Sequence, residues 1–152
     1  MTRRYVIASD HAGLLLKPLL TELLRERGHS VRDLGPFEEG SVDYPDYALK
    51  LAREVAAGEA DRGVLICGTG IGVSIAANKV SGVRAALCRS ELEAQLARAH
   101  NDANVVCIGE RITGAGMAQA IVVAFDSEEF EGGRHARRVG KITDYETGNH
   151  HQ

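Results

Sequence analysis

The chain has 152 residues, 44% of them apolar and 26% charged, with no Trp and a formal net charge of −3. That length suits one domain spanning residues 1–152, large enough to bury a sizeable core. The mild negative charge argues against general attraction to nucleic acid or an anionic membrane, and no apolar run of roughly 18 residues predicts a spanning helix. The N-terminus, Met1-Thr2-Arg3-Arg4-Tyr5, leads into a short apolar segment without the longer apolar region and cleavage site of a signal peptide. Cys67, Cys88 and Cys107 show no CxxC spacing and leave one thiol unpaired, so reduced thiols in a cytoplasmic protein are expected, not disulfides or a zinc site.

In chain order, short apolar runs alternate with longer segments of helical periodicity. Tyr5 to Ser9 reads as a strand. Leu14 to Arg27 reads as a helix with Leu16, Leu19, Leu20, Leu23 and Leu24 on one face, ended by Gly28. Ser30 to Leu34 is a second strand, and Gly35 to Tyr44 a polar loop. Asp46 to Ala57 turns Ala48, Leu51, Ala52 and Val55 inward. Gly63 to Cys67 is the third strand, followed by a short helix from about Ile71 to Lys79. Val83 to Cys88 is the fourth strand, and Ser90 caps a helix through His100 with Glu93 at capping-box spacing. Val105 to Gly109 is the fifth strand, Thr113 to Phe125 a further helix, and a basic helix from about Arg134 to Tyr145 precedes a tail expected to be flexible.

This alternation predicts an α/β three-layer sandwich, with a parallel five-stranded sheet covered by helices on both faces, of Rossmann or flavodoxin-like type. Right-handed crossovers restrict the topology, and the expected strand order is 2-1-3-4-5. Strands 1 and 3 would then flank a topological switch point, where ligands bind beyond the strand C-termini. Two chemically loaded loops follow those strands: Ser9-Asp10-His11-Ala12-Gly13 and Cys67-Gly68-Thr69-Gly70-Ile71-Gly72.

The second loop places a thiol at a strand end beside a glycine-rich helix start. Backbone N–H groups there favour anions, and a thiol in that position should ionise more readily than a free one. A tight strand-to-helix turn alone would also explain the glycines. The pattern is G-x-G-x-G, without the spacing of a dinucleotide fingerprint or the Lys-Ser/Thr of a P-loop, so a nucleotide fits poorly. Asp10-His11 suits proton transfer and phosphate contact, although Asp10 could simply cap a helix. His100, with Asn101 and Asp102, ends the fourth helix, where the dipole stabilises a cation or a solvated cap. Arg134 and Arg138 share a helical face and match a phosphate, although such clusters are commonly plain surface. Arg111 adds a cation after the fifth strand.

Taken together and in this order, these segments closely resemble ribose-5-phosphate isomerase type B, in the wider group that includes galactose-6-phosphate isomerase subunits. The resemblance rests on Ser9-Asp10-His11-Ala12-Gly13, Asp43-Tyr44-Pro45, Cys67-Gly68-Thr69-Gly70-Ile71-Gly72, Ala76-Ala77-Asn78-Lys79, His100-Asn101-Asp102-Ala103-Asn104 and Gly132-Gly133-Arg134-His135, across nearly the whole chain. It implies an aldose-ketose isomerase of a sugar phosphate that needs no metal and no cofactor. It implies Cys67 as the carbon base, Thr69 and His100 as aids to ring opening, and Asp10 in proton traffic between the sugar oxygens. The Gly68, Thr69, Gly70, Ile71 and Gly72 amides would hold an enediolate. His11, Arg134 and Arg138 would contact phosphate, and Tyr44 would line the site. The resemblance further implies a homodimer or dimer of dimers with a shared site, to which His100, Asn101 and Arg111 come from the partner. Some relatives replace the cysteine by a glutamate further along the loop; here that position is Val73. A six-carbon sugar phosphate, such as allose or galactose 6-phosphate, is the nearest alternative substrate. A catalytically silent sugar-phosphate sensor and a flavodoxin-like electron carrier are alternatives of other classes. His150-His151 could suggest metal binding, but a disordered end is the expected reading.

Overall fold

Strands and helices alternate along residues 1–148, the part of the chain that the computed structural model describes. The strands are β1 (Arg4–Ser9), β2 (Ser30–Asp33), β3 (Arg62–Cys67), β4 (Ala85–Leu87) and β5 (Val105–Gly109). The helices are α1 (Leu16–Glu26), α2 (Tyr44–Ala56), α3 (Ile71–Ala77), α4 (Glu91–Asn101), α5 (Ala115–Ser127) and α6 (Arg134–Glu146). A short 3-10 turn at His11–Gly13 separates β1 from α1, where periodicity alone predicts a helix starting at Leu14. His150 and His151 lie outside the described residues.

All strand pairs are parallel. Alternate side chains go to opposite faces of the sheet, as the pleat requires. Tyr5, Ile7, Val64, Ile66, Val106 and Ile108 pack with α1, α4 and α5 in one core. Val6, Ala8, Leu65, Cys67, Val105 and Cys107 pack with α2 and α3 in the other. α2 turns Ala48, Leu51, Ala52 and Val55 inward as its periodicity predicts. In α1 the fully buried leucines are Leu16, Leu20 and Leu24, and Leu19 and Leu23 are packed only partly against the core.

The strand order is β2-β1-β3-β5-β4, which corrects the expected 2-1-3-4-5 at one edge. Burial supplies the reason. All five residues of β5 are buried, whereas the three residues of β4 are each half-buried. The more apolar strand occupies the interior position, and the short one becomes the edge. The switch point between β1 and β3 is unaffected.

At the N-terminal edge of the sheet, a buried carboxylate ties β1 and the end of α1 to the end of α5. Asp126, at the end of α5, accepts hydrogen bonds from Tyr5 Oη and Arg27 Nε, each at 2.8 Å, and its other neighbour is His29 Nε2, also at 2.8 Å. Burial alone would raise the Asp126 pKa, but hydrogen bonds from His29, Arg27 and Tyr5 outweigh it and hold the carboxyl below its ordinary range. Burial, with the Asp126 charge, pushes the Tyr5 phenol above its ordinary value.

Candidate active site

At the C-terminal edge of β3 the chain makes the turn that opens α3. Gly70 is its N-cap, at φ +78°, a left-handed conformation that glycine adopts without strain. The Gly70 N–H donates to Cys67 Sγ at 3.1 Å. The other two thiols are fully buried. Burial, helped by the Glu93 charge, pushes Cys88 up to about 12, and burial raises Cys107 well above its ordinary value. Both are held as neutral core thiols, and all three cysteines are free.

The five amides expected to face an anion divide into two groups. Gly70 donates to Cys67, and Ile71 N–H donates to Thr69 Oγ1 at 3.2 Å. The N–H groups of Gly68, Thr69 and Gly72 have no acceptor among the described residues and remain open to an oxyanion.

Several elements converge on this turn. Asp10 N–H donates to Ile66 O at 3.1 Å, which binds the first loop to the end of β3. Asp10 Oδ1 accepts from Ala12 N at 2.8 Å, so its capping role is real, and the side chain is buried. His11 Nδ1 accepts from Val42 N at 3.2 Å, which joins that loop to the segment before α2. Tyr44, the first residue of α2, covers Gly72 so closely that a Cβ there would meet its ring at 2.6 Å. Arg111 N–H donates to Gly68 O at 3.0 Å, and its side chain lies over Gly68. Gly109 permits all this: a Cβ at that position would stand 2.4 Å from the Thr69 backbone.

The remaining candidates form a second cluster, at the opposite edge of the sheet. α4 runs back from the C-terminal edge and ends at His100 and Asn101, just before β5 begins at Val105. The His100 ring stacks on His135 of α6, with centroids 4.2 Å apart and planes within 9°. Glu131 N–H donates to Ala99 O at 3.0 Å, which fixes the start of α6 against the end of α4. Burial, then the neighbouring His100 and Arg134 charges, hold the His135 pKa below its ordinary value. Arg134 and Arg138 are exposed on α6, and neither forms an ion pair among the described residues; Arg111 is likewise unpaired there.

Two separate groups therefore exist within one chain. Asp10, His11, Tyr44, Cys67, the Gly68–Gly72 turn and Arg111 stand at one edge. His100, Asn101, Arg134 and Arg138 stand at the other. Gly63 pairs with Val105 and Cys67 with Gly109, so the edges are four strand residues, about 13 Å, apart across a packed sheet. One small sugar phosphate does not span them in a single chain. Arg111 belongs with Cys67 in this grouping and not with His100 and Asn101.

Some of the sequence signatures are architectural. Asn78 exchanges hydrogen bonds with Ala85 at 2.9 and 2.8 Å, which pins α3 to β4. Asp102 takes a left-handed conformation at the end of α4 and accepts from Arg98 at 2.8 Å. Asn104 accepts from Arg84 N at 2.8 Å. Other residues of the site carried no sequence signal. Glu110 accepts from the Leu16 N–H at the start of α1, while its own N–H donates to Cys67 O at 2.9 Å. Glu131 is another such residue; it meets His100 only through the fold, as does His135, which the sequence signature does contain.

The sequence model of the ribose/galactose isomerase family matches residues 5–142. Ribose-5-phosphate isomerase B of Escherichia coli is 47% identical over 93% of this chain and 95% of its own length. A solved structure of Clostridium thermocellum ribose-5-phosphate isomerase B superposes with a TM-score of 0.93 at 50% identity, covering 97% of this chain and 99% of that one. The Mycoplasma genitalium ribose-5-phosphate isomerase B, solved with bound ribulose 5-phosphate, gives a TM-score of 0.92 at 48% identity, over 95% and 96% of the two chains. The fold is that of an α/β sugar-phosphate isomerase. The chain belongs to the ribose/galactose isomerase family.

Proposed function

We propose that the chain interconverts ribose 5-phosphate and ribulose 5-phosphate through an enediolate. The observation that carries this reading is the Gly70 N–H held at 3.1 Å from Cys67 Sγ, beside the open Gly68, Thr69 and Gly72 amides. A carbon acid next to a carbonyl needs a base close to the carbon and donors for the oxygen that becomes negative. One turn supplies both. Cys67 as thiolate removes the proton from C2 of the open-chain aldose and returns it to C1. The free amides hold the enediolate oxygens, and Asp10 moves the proton between them. Thr69 and His100 pass a proton from the anomeric hydroxyl to the ring oxygen as the furanose opens. His11, Arg111, Arg134 and Arg138 bind phosphate, Tyr44 closes one side, and Asn101 contacts the sugar. None of these steps requires a metal or another cofactor.

The separation of the two clusters supports a homodimer with a shared site, in which His100, Asn101, Arg134 and Arg138 of one copy meet Cys67 and Arg111 of the other. α6 buries only His135 against its own chain, and Ile142 on it stays exposed. Leu92 and Leu96 of α4 are exposed as well. Such uncovered apolar side chains suit a self-complementary interface. Three free thiols fit a reducing compartment, in keeping with a cytoplasmic enzyme.

The test is an isomerase assay on a panel of five- and six-carbon sugar phosphates. Wild type should prefer the ribose 5-phosphate and ribulose 5-phosphate pair and keep its activity in EDTA. Cys67→Ala should lower kcat by about a thousandfold, the scale of a lost acid–base group, while circular dichroism shows the fold intact. Near-normal turnover in that variant would remove Cys67 from the mechanism. Binding without turnover in wild type would favour a sensor.

A further inference from the structure

We propose that His100, Glu131 and His135 form a binding site for a divalent first-row transition cation, such as Zn2+ or Co2+, and that the bound ion inhibits turnover. The site is defined by geometry alone; only its inhibitory effect rests on the isomerase reading.

The three donor atoms lie within 4.8 Å of one another. Glu131 Oε2 is 3.4 Å from His135 Nε2 and 4.0 Å from His100 Nε2. Ligands at zinc distances of about 2.0–2.2 Å stand roughly 3.3 Å apart in a tetrahedron, so the Glu131–His135 edge is already formed. His100 must approach by about 1 Å, and the stacked rings must open so that their lone pairs converge. The two residues that move are the free ones: Glu131 and His100 side chains are 57% and 36% exposed, whereas His135 is 9% exposed. Their backbones are joined by the hydrogen bond from Glu131 N to Ala99 O.

His135 Nε2 is the second observation. It is buried, and its 3.4 Å contact with Glu131 does not meet hydrogen-bond geometry, so it lacks a hydrogen-bond partner. A buried nitrogen left in this way is costly, and a metal bond would satisfy it. Two imidazoles with one carboxylate form a borderline N/O set that suits zinc or cobalt, whereas magnesium and calcium prefer oxygen alone. A fourth position is left open to water. Arg134 and Arg138 on the same helix repel a cation, so affinity in the micromolar range is expected rather than that of a structural zinc site. The ion would take the His100 lone pair that faces Glu131 and withdraw His100 from ring opening.

The test uses the full chain in its native assembly. Co2+ is added and its visible absorption recorded, and Zn2+ binding is measured by calorimetry, in wild type, Glu131→Gln and His135→Asn, each with its folding checked by circular dichroism. Wild type should take up one ion per chain and develop the intense bands of four- or five-coordinate cobalt. Both variants should bind at least tenfold more weakly, and Mg2+ should not compete. Absent cobalt bands in wild type, or equal binding in the variants, would overturn the site; the second result would place the metal on other groups such as His150 and His151. Zn2+ should inhibit wild-type isomerisation reversibly, with EDTA restoring it, and Glu131→Gln should need at least tenfold more zinc for the same inhibition. If metal-free wild type shows no turnover, the isomerase reading fails while the binding measurements still decide the site.

Discussion

At the scale of single residues, the site depends on positions where a side chain would not fit. A Cβ on Gly70 would stand 2.6 Å from Leu87 and 3.0 Å from the Ile108 backbone, in a left-handed conformation besides. Gly70→Ala should therefore cost about 1–3 kcal/mol in chemical unfolding and move the N–H off Cys67. Its kcat should fall by more than the fraction of unfolded protein explains. Gly116, inside α5 with open space around it, is the control: Gly116→Ala should leave kcat unchanged and stabilise the helix by up to about 1 kcal/mol. A Gly70→Ala enzyme of normal kcat would show that the amide contact to sulfur is dispensable. Residue identity and spacing were enough to single out Cys67, Asp10 and the glycine turn, because these are local: strand end, turn and helix start are contiguous. Glu110 and Glu131 were not legible, nor was the contact that His135, itself inside a sequence signature, makes with His100. Each acts on a residue distant in sequence, and nothing in its own neighbourhood announces that contact.

Between elements, buried charge determines how the edges are tied. Asp126 joins β1, the end of α1 and α5 through Tyr5, Arg27 and His29. Asp126→Ala should destabilise the fold by about 3–5 kcal/mol in urea unfolding, since it strands buried partners. The pH dependence has a defined sign. The folded carboxyl titrates below the unfolded one, so in that window the unfolded state binds more protons. The stabilisation is present above the unfolded carboxylate range and is lost as pH falls through the folded pKa. Asp126→Asn should flatten this part of the acid-unfolding curve; an unchanged curve would assign the acid sensitivity elsewhere. The alternation of elements was readable from periodicity, but the exchange of β4 and β5 was not. Both segments are apolar and parallel, and their order depends on which of them loses more by standing at the edge. The short, half-buried β4 loses less.

For the whole molecule, the central fact is the separation of the two clusters. The sheet places Cys67 and Arg111 at one edge and His100, Arg134 and Arg138 at the other. On the shared-site reading proposed above, a complete site takes one half from each of two copies. The measurement that tests this most directly is complementation. Cys67→Ala and His100→Asn are each expected to be nearly inactive alone. Unfolded together and refolded as a mixture, they should form about half mixed dimers, each with one intact site of two, and recover about a quarter of wild-type ribose 5-phosphate isomerisation. Activity that stays at the level of the separate variants, with mixed dimers shown to be present, would contradict the shared site.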